Sequence, residues 1–284
     1  MDILNLIKLA AIVLTVFILT WFLLSKKDHN EHLPISARIQ TGVIGFMANF
    51  FDTFGIGSFA TIVALRRMFG LMPDDVRLIG SMNLQAVLPT ILQSLIFLHF
   101  IDVDLVTLAV ACSMITLGGF LSGFIAINIS KGRVRKIMLV AFCLTGVILL
   151  LSQLGLLPIT GSENGLTGYK LALFSLLMLF AGFLPAFGVG YYSLVQISIV
   201  LFGVNPLIAF PIMTTASAFQ MPVTTVPFLI KKKFYKQSSL ILMLTGAIGV
   251  ALAAPLIAHV NSYYLKWILV IIIGYNILIL SKRI

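Results

Sequence analysis

The chain is a succession of nine apolar runs, at about 3–24, 41–68, 78–99, 104–129, 134–154, 170–203, 207–230, 237–258 and 262–281, with no long polar stretch between them. A bilayer span takes about 20 apolar residues, and a helix satisfies its own backbone groups in lipid, so this pattern specifies an all-α polytopic membrane protein. With 60% of its 284 residues hydrophobic and 10% charged, the chain has no room for a separate soluble domain. No G-x-x-x-x-G-K-[ST] phosphate loop, H-E-x-x-H pair or carboxylate-rich metal loop occurs, so no cofactor, metal site or catalytic residue is expected and the chain does not read as an enzyme. Cys112 and Cys143 lie inside apolar runs without ligand spacing. The run from Ile3 to Leu24 reads as a retained first helix, because no small-x-small cleavage site precedes Lys26 and Lys27.

The net charge of +10 follows membrane sidedness and does not call for nucleic acid as a partner. Lys26, Lys27 and Arg38 mark one loop as cytoplasmic. The same holds for Arg66, Arg67 and Arg77, for Lys131, Arg133, Arg135 and Lys136, for Lys231, Lys232, Lys233 and Lys236, and for Lys282 and Arg283. Loops near 100–104, 155–169, 204–206 and 259–262 hold no Lys or Arg and are expected outside. Run 41–68 then has cytoplasmic loops on both sides, and run 170–203 has outward loops on both sides, so neither crosses an odd number of times. At about 1.5 Å per residue neither is long enough for two crossings, so each is expected to be a re-entrant pair of half-helices meeting mid-membrane. The expectation is seven full spans and two hairpins in a plasma-membrane protein, N-terminus outside and C-terminus cytoplasmic. Gly55-Ile56-Gly57 and Gly188-Val189-Gly190 sit at the two breaks.

An internal repeat supports this. At an offset of 133, Phe50 falls on Phe183, Phe54 on Phe187, Gly55 on Gly188, Gly57 on Gly190, Gly70 on Gly203, Pro73 on Pro206 and Pro89 on Pro222. The units are an extra N-terminal helix and loop (1–40), a first repeat (41–154), an outward loop (155–169) and a second repeat (170–284) that the loop charges orient in the opposite sense. Inverted repeats with broken helices belong to secondary transporters, which bind cargo near the midplane.

At each tip a helix begins, near Gly57-Ser58 and near Gly190-Tyr191, and its first N–H groups lack partners. They offer donors and a positive dipole end to an anion. The expected substrate-binding set is Asn49, Asp52, Thr53, Gly55, Gly57 and Ser58 from the first tip and Gly188, Gly190, Tyr191 and Tyr192 from the second. The following helices add Asn83, Gln85, Thr214, Thr215, Ser217 and Gln220, with Pro89 and Pro222 as expected kinks. Asp52 is the one carboxylate placed deep in the membrane. It reads either as a cap for the tip N–H groups or as a proton- or ion-coupling group. Phe54 and Phe187, at matching positions, are candidates for a gate. Gly118, Gly119, Gly123, Gly246 and Gly249 have the spacing of close helix packing.

The stretch Gly45-Phe46-x-x-Asn49-Phe50-Phe51-Asp52-Thr53-Phe54-Gly55-Ile56-Gly57-Ser58-Phe59-Ala60 resembles the TauE/SafE sulfite exporter family, the TSUP permeases. Its shorter echo Ala181-Gly182-Phe183-x-x-x-Phe187-Gly188-Val189-Gly190 and the helix Leu117-Gly118-Gly119-Phe120-Leu121-Ser122-Gly123 do so too. The resemblance implies carriage of sulfite, organosulfonates, related oxyanions or small carboxylates. Tyr191 and Tyr192, after the second pair of glycines, depart from that pattern. Two rivals stay open: a cation permease with Asp52 as ligand, and a membrane-embedded enzyme, which lacks a nucleophile and base at workable spacing.

Overall fold

The computed structural model describes residues 3–25, 33–72, 76–128, 130–156, 163–259 and 262–281. Among them the chain forms eleven α-helices: α1 (Ile3–Leu24), α2 (Ile35–Thr53), α3 (Ser58–Met68), α4 (Val76–Phe100), α5 (Leu105–Ala126), α6 (Lys131–Gln153), α7 (Gly168–Phe183), α8 (Tyr192–Leu201), α9 (Ala209–Ile230), α10 (Lys236–Ala253) and α11 (Ser262–Ser281). Short 3-10 turns lie at Leu184–Phe187, Pro206–Ile208 and Ala254–His259, and among the described residues no strand forms beyond one bridge between Glu163 and Val204. Lys26, Lys27, Pro73, Asp74, Asp75, Lys282 and Arg283 lie outside the described residues, as do 157–162 and 260–261.

Six stretches are long and apolar enough to cross a membrane: Ile3–Leu24, Val76–Phe100, Leu105–Ala126, Gly168–Phe187, Pro206–Ile230 and Lys236–Leu256. By helix length and composition the chain is a multi-pass membrane protein. Five of the seven expected spans are in this set. Several side chains of α6 and of α11 lie outside the described residues, and neither helix enters this set as a whole span. The sixth stretch, Gly168–Phe187, is the first arm of the second broken run. Each broken run has one long arm and one short arm where a pair of half-helices is expected: α2 has 19 residues and α3 has 11, while α7 with its 3-10 turn spans 20 and α8 has 10. The run limits missed this because α2 begins at Ile35, six residues before the apolar stretch, on amphipathic sequence.

The least apolar candidate spans are the most buried. The most apolar windows of Val76–Phe100 and Pro206–Ile230 are each 78% buried, against 22% for α1. In lipid this is the expected sorting, since polar side chains lower the hydropathy of a helix and must face protein. α4 and α9 pack on each other at the centre. α1 lies against them along Ala11, Thr15, Ile18 and Phe22, whose spacing of four, three and four selects one helix face.

The remaining packings come in corresponding pairs. α2 packs on α10 as α7 packs on α5, and α5 packs on α9 as α4 packs on α10; α6 lies on α11. Glycines permit the closest of these approaches. A Cβ on Gly249 would lie 2.5 Å from Phe46 O on α2, and one on Gly118 would lie 3.0 Å from Gly182 Cα on α7. Backbone meets backbone there, as expected for small-residue seams.

The helix ends gather into two groups. In one, Arg77 at the start of α4 stacks on the Tyr235 ring at 4.3 Å, Tyr235 N donates to Ser81 Oγ at 2.8 Å, and Lys236 donates to Leu23 O at 2.8 Å. Arg38 of α2 reaches the side-chain carbonyl of Gln237 at 3.0 Å. In the other group, Asp104 caps α5 by accepting from Thr107 N at 2.8 Å, and Leu166 N donates to Thr107 Oγ1 at 2.8 Å. Lys170 of α7 bonds Phe202 O, beyond α8, at 3.1 Å and pairs with Glu163 at 3.1 Å. α4, with 25 residues or about 37 Å of rise, separates the two groups.

Candidate functional site

Each broken run turns on glycine. Gly55 and Gly57 have φ of 86° and 89°, and Gly188 has φ of 81°, a region that L side chains rarely adopt. Gly190 has an ordinary φ and serves by being small: a Cβ built there would lie 4.0 Å from Gly57 Cα and 3.9 Å from Phe59 Cβ. The two tips, 133 residues apart in sequence, therefore touch. On either side of that contact lies a small cavity. One of about 10 Å³ is lined by Asp52, Gly57, Ser58, Thr90, Gly190 and Tyr192 among others. The other, of about 20 Å³, adjoins Ile56, Val189 and Ser193. Each has room for about one water, so this is a closed arrangement of the tips.

Asp52 is 3% exposed and both of its oxygens are engaged. Oδ1 accepts from Ser58 N, the first N–H of α3, at 2.5 Å, and Oδ2 accepts from Gln93 Nε2 at 2.9 Å. The capping role foreseen for Asp52 is thus present in the geometry. Tip two has no such group among the described residues: its position matching Asp52 is Pro185, and Tyr191, the N-cap residue of α8, makes no side-chain cap bond. Instead, Asn83 Nδ2 donates to Pro185 O at 3.0 Å, so α4 holds the turn by its carbonyl.

Gln93 joins the tips. While Nε2 serves Asp52, and Thr53 Oγ1 at 3.2 Å, Oε1 accepts from Tyr192 OH at 3.2 Å. Sequence reading stopped its polar cluster at Gln85 and missed Gln93, Thr90 and Ser94, although 85, 89 and 93 stand at four-residue steps along one face of α4. Gln196 makes a second bridge, from tip two to Gly55 O at 3.3 Å. Tyr191 OH bonds Ser217 Oγ at 2.6 Å, and Ser94 Oγ bonds Thr215 Oγ1 at 2.9 Å between α4 and α9.

The other expected site residues serve nearby packing. Asn49 Nδ2 donates to Gln85 Oε1 at 2.9 Å, Gln220 Nε2 donates to Gly182 O at 3.2 Å, and Thr214 Oγ1 returns to Phe210 O. All are buried. Pro89 and Pro222 lie inside continuous helices α4 and α9, and Pro227 is a further interior proline. The proposed aromatic gate does not assemble: Phe54 packs on Phe50 at 5.5 Å, while Phe187 lines a separate apolar cleft of about 500 Å³ between α6 and the second tip.

The arrangement offers backbone donors, hydroxyls and amides around a contact that must open to admit anything larger than water. Among the described residues no three His, Cys, Asp or Glu side chains come together as metal ligands. A scan of the sequence against protein-family models and a search of curated proteins each found no match.

Proposed function

We propose that this chain is a secondary transporter of a small anion, namely sulfite, an organosulfonate or a related oxyanion. The anion binds where the two tips meet, and the tips separate toward alternate sides of the membrane. The observation that carries this reading is the close approach of Gly57 and Gly190 inside a buried polar shell. A membrane protein has little reason to bury so many amides and hydroxyls around two helix starts unless they serve a polar ligand.

The topology read from the loop charges, two inverted repeats with re-entrant hairpins, is part of the proposal. Lys170 bonding Phe202 O brings the start of α7 beside the end of α8. α2 begins beside Gln237, and α3 ends eight residues before α4 begins in the same group of helix ends. α4 separates the two groups, which supports entry of the hairpins from opposite sides, with the N-terminus outside and the C-terminus cytoplasmic. On this reading the chain sits in the plasma membrane and is not an enzyme.

The open N-terminus of α8 favours the second tip as the principal anion seat, because Asp52 already places a carboxylate at the first. The cation reading rests on Asp52 alone and is weakened by the engagement of both its oxygens with donors. The test is flux into and out of proteoliposomes against a panel of sulfite, thiosulfate, sulfonates and small carboxylates, with and without a pH gradient. Saturable anion flux is expected; movement of no anion under any gradient sinks the reading, and metal flux abolished by Asp52→Asn would favour the cation.

A further inference from the structure

We propose that Gln93 is a positioning residue that couples protonation of Asp52 on the first tip to the hydroxyl of Tyr192 on the second, by inversion of its side-chain amide. The role of this relay rests on the transporter reading above; its chemistry follows from the bonds alone.

A carboxylate only accepts hydrogen bonds, and the present geometry has Asp52 Oδ1 accepting from Ser58 N and Oδ2 from Gln93 Nε2. Ser58 offers Asp52 a backbone N–H, which cannot become an acceptor, and a hydroxyl, which is a rotor and suits either state. In the relay the proton is carried on Oδ2, where it faces the Gln93 NH₂ group. Two donors then oppose each other, and exchanging the amide oxygen and nitrogen removes the conflict. Oε1 accepts from Asp52 O–H, and Nε2 turns to Tyr192. The Tyr192 oxygen, which now donates to Oε1 at 3.2 Å, becomes the acceptor, and its own hydrogen must turn away. Thr53, which accepts from Gln93 at 3.2 Å and donates to Asn49 O, is a hydroxyl rotor and accommodates either state.

Tyr192 lines the cavity at the tip contact together with Gly57, Ser58 and Gly190. In the ionised state its hydroxyl hydrogen is committed to Gln93; in the protonated state it is released from Gln93 and turns to Ser217 or to an anion at the tips. One proton thereby neutralises the carboxylate that would repel the anion and releases a donor that would bind it. No covalent bond other than the Asp52 O–H forms or breaks.

The surroundings leave Asp52 without a competing charge. The titratable groups facing it are Tyr191 and Tyr192, with Cys112 of α5 beyond Tyr191. The charged residues of the adjoining helices stand toward their ends: Arg66 and Arg67 on α3, Arg77 and His99 on α4, and Lys236 on α10; α9 has none.

The first experiment is the acid-minus-neutral infrared difference spectrum of the full chain in liposomes. The expected spectrum contains a carboxylic-acid band lost in Asp52→Asn, a side-chain amide band lost in Gln93→Leu and a tyrosine ring band lost in Tyr192→Phe, all titrating together. An Asp52 band that titrates without the other two, or no Asp52 band, overturns the relay whether or not the protein transports. The second is uptake of methanesulfonate, whose charge is constant over the range, as a function of pH. The wild type is expected to show an apparent KM that falls several-fold as pH is lowered. In Gln93→Leu the KM should be flat, with maximal rate kept within a few-fold, and Asp52→Asn should hold the low-pH KM throughout. A wild-type pH profile in Gln93→Leu overturns the relay, whereas absence of all anion flux from the wild type, with the three infrared bands intact, overturns only the transporter reading.

Discussion

The two glycine turns, 133 residues apart in the sequence, solve the same problem differently. Tip one neutralises the start of α3 from within, using Asp52, and bends at two glycines of positive φ. Tip two has proline where tip one has aspartate, makes a 3-10 turn before a single positive-φ glycine, and is tied down from outside by Asn83. The first start is electrically closed and the second is open. Symmetry of chain path therefore does not imply symmetry of chemistry: the uncapped donors of α8 are where an added anion gains most, and the capped donor of α3 is where a proton has most effect.

Four substitutions break or sharpen that comparison. The largest effect is expected from Asp52→Leu, which strands the Ser58 N–H and the Gln93 amide in a buried site at about 1–3 kcal/mol for each lost partner. Thermal unfolding in detergent should show a clear drop in Tm; a Tm unchanged within error means tip one is not held by its cap. Next comes the glycine pair. Gly57→Ala forces a side chain into positive φ at a cost of about 1–2 kcal/mol, whereas Gly190→Ala fits sterically and should leave Tm within about 0.5 kcal/mol equivalent of wild type while slowing anion flux, because its methyl enters the tip contact. Equal destabilisation by both would remove the distinction drawn from their φ values. The smallest effect is expected from Asn83→Leu, which releases Pro185 O. Interhelical bonds in membrane proteins are worth about 0.6 kcal/mol on average, so a slight loss of Tm should accompany faster hydrogen exchange confined to 184–191. Faster exchange at 54–57 instead would show that α4 supports the wrong tip.

Much of this molecule is legible in its sequence, and the boundary of legibility has physical causes. α1 and α11 cover the apolar runs expected at 3–24 and 262–281, because a long apolar run in a membrane chain has few alternatives to helix. The breaks at Gly55–Gly57 and Gly188–Gly190 are where the glycines placed them, since positive φ has few other providers. The arm lengths were not legible: α2 extends back to Ile35 through Ser36, Arg38 and Gln40, and polar residues do not register as part of an apolar run. Gln93 escaped for a related reason. Its place one turn beyond Pro89 marks only a shared helix face, and its importance comes from Asp52 and Tyr192, which approach it from 41 and 99 residues away in the chain. The Phe54 and Phe187 gate failed because matching repeat positions promise similar backbone, not a shared neighbour.

The glycine seams divide the hairpins into parts with different mechanics. Long arms α2 and α7 meet α10 and α5 backbone to backbone at Gly249 and at Gly118 and Gly182. Short arms α3 and α8 have no comparable seam, and each is bounded at both ends by a positive-φ glycine: Gly57 and Gly70 for α3, Gly188 and Gly203 for α8. In engineering terms each hairpin is a fixed post bearing a stiff leaf on two pivots. Each leaf is about 15 Å long, so a few degrees of torsion at a pivot translate into ångströms at the tip, and the pivots turn on backbone dihedrals with no Cβ to obstruct them.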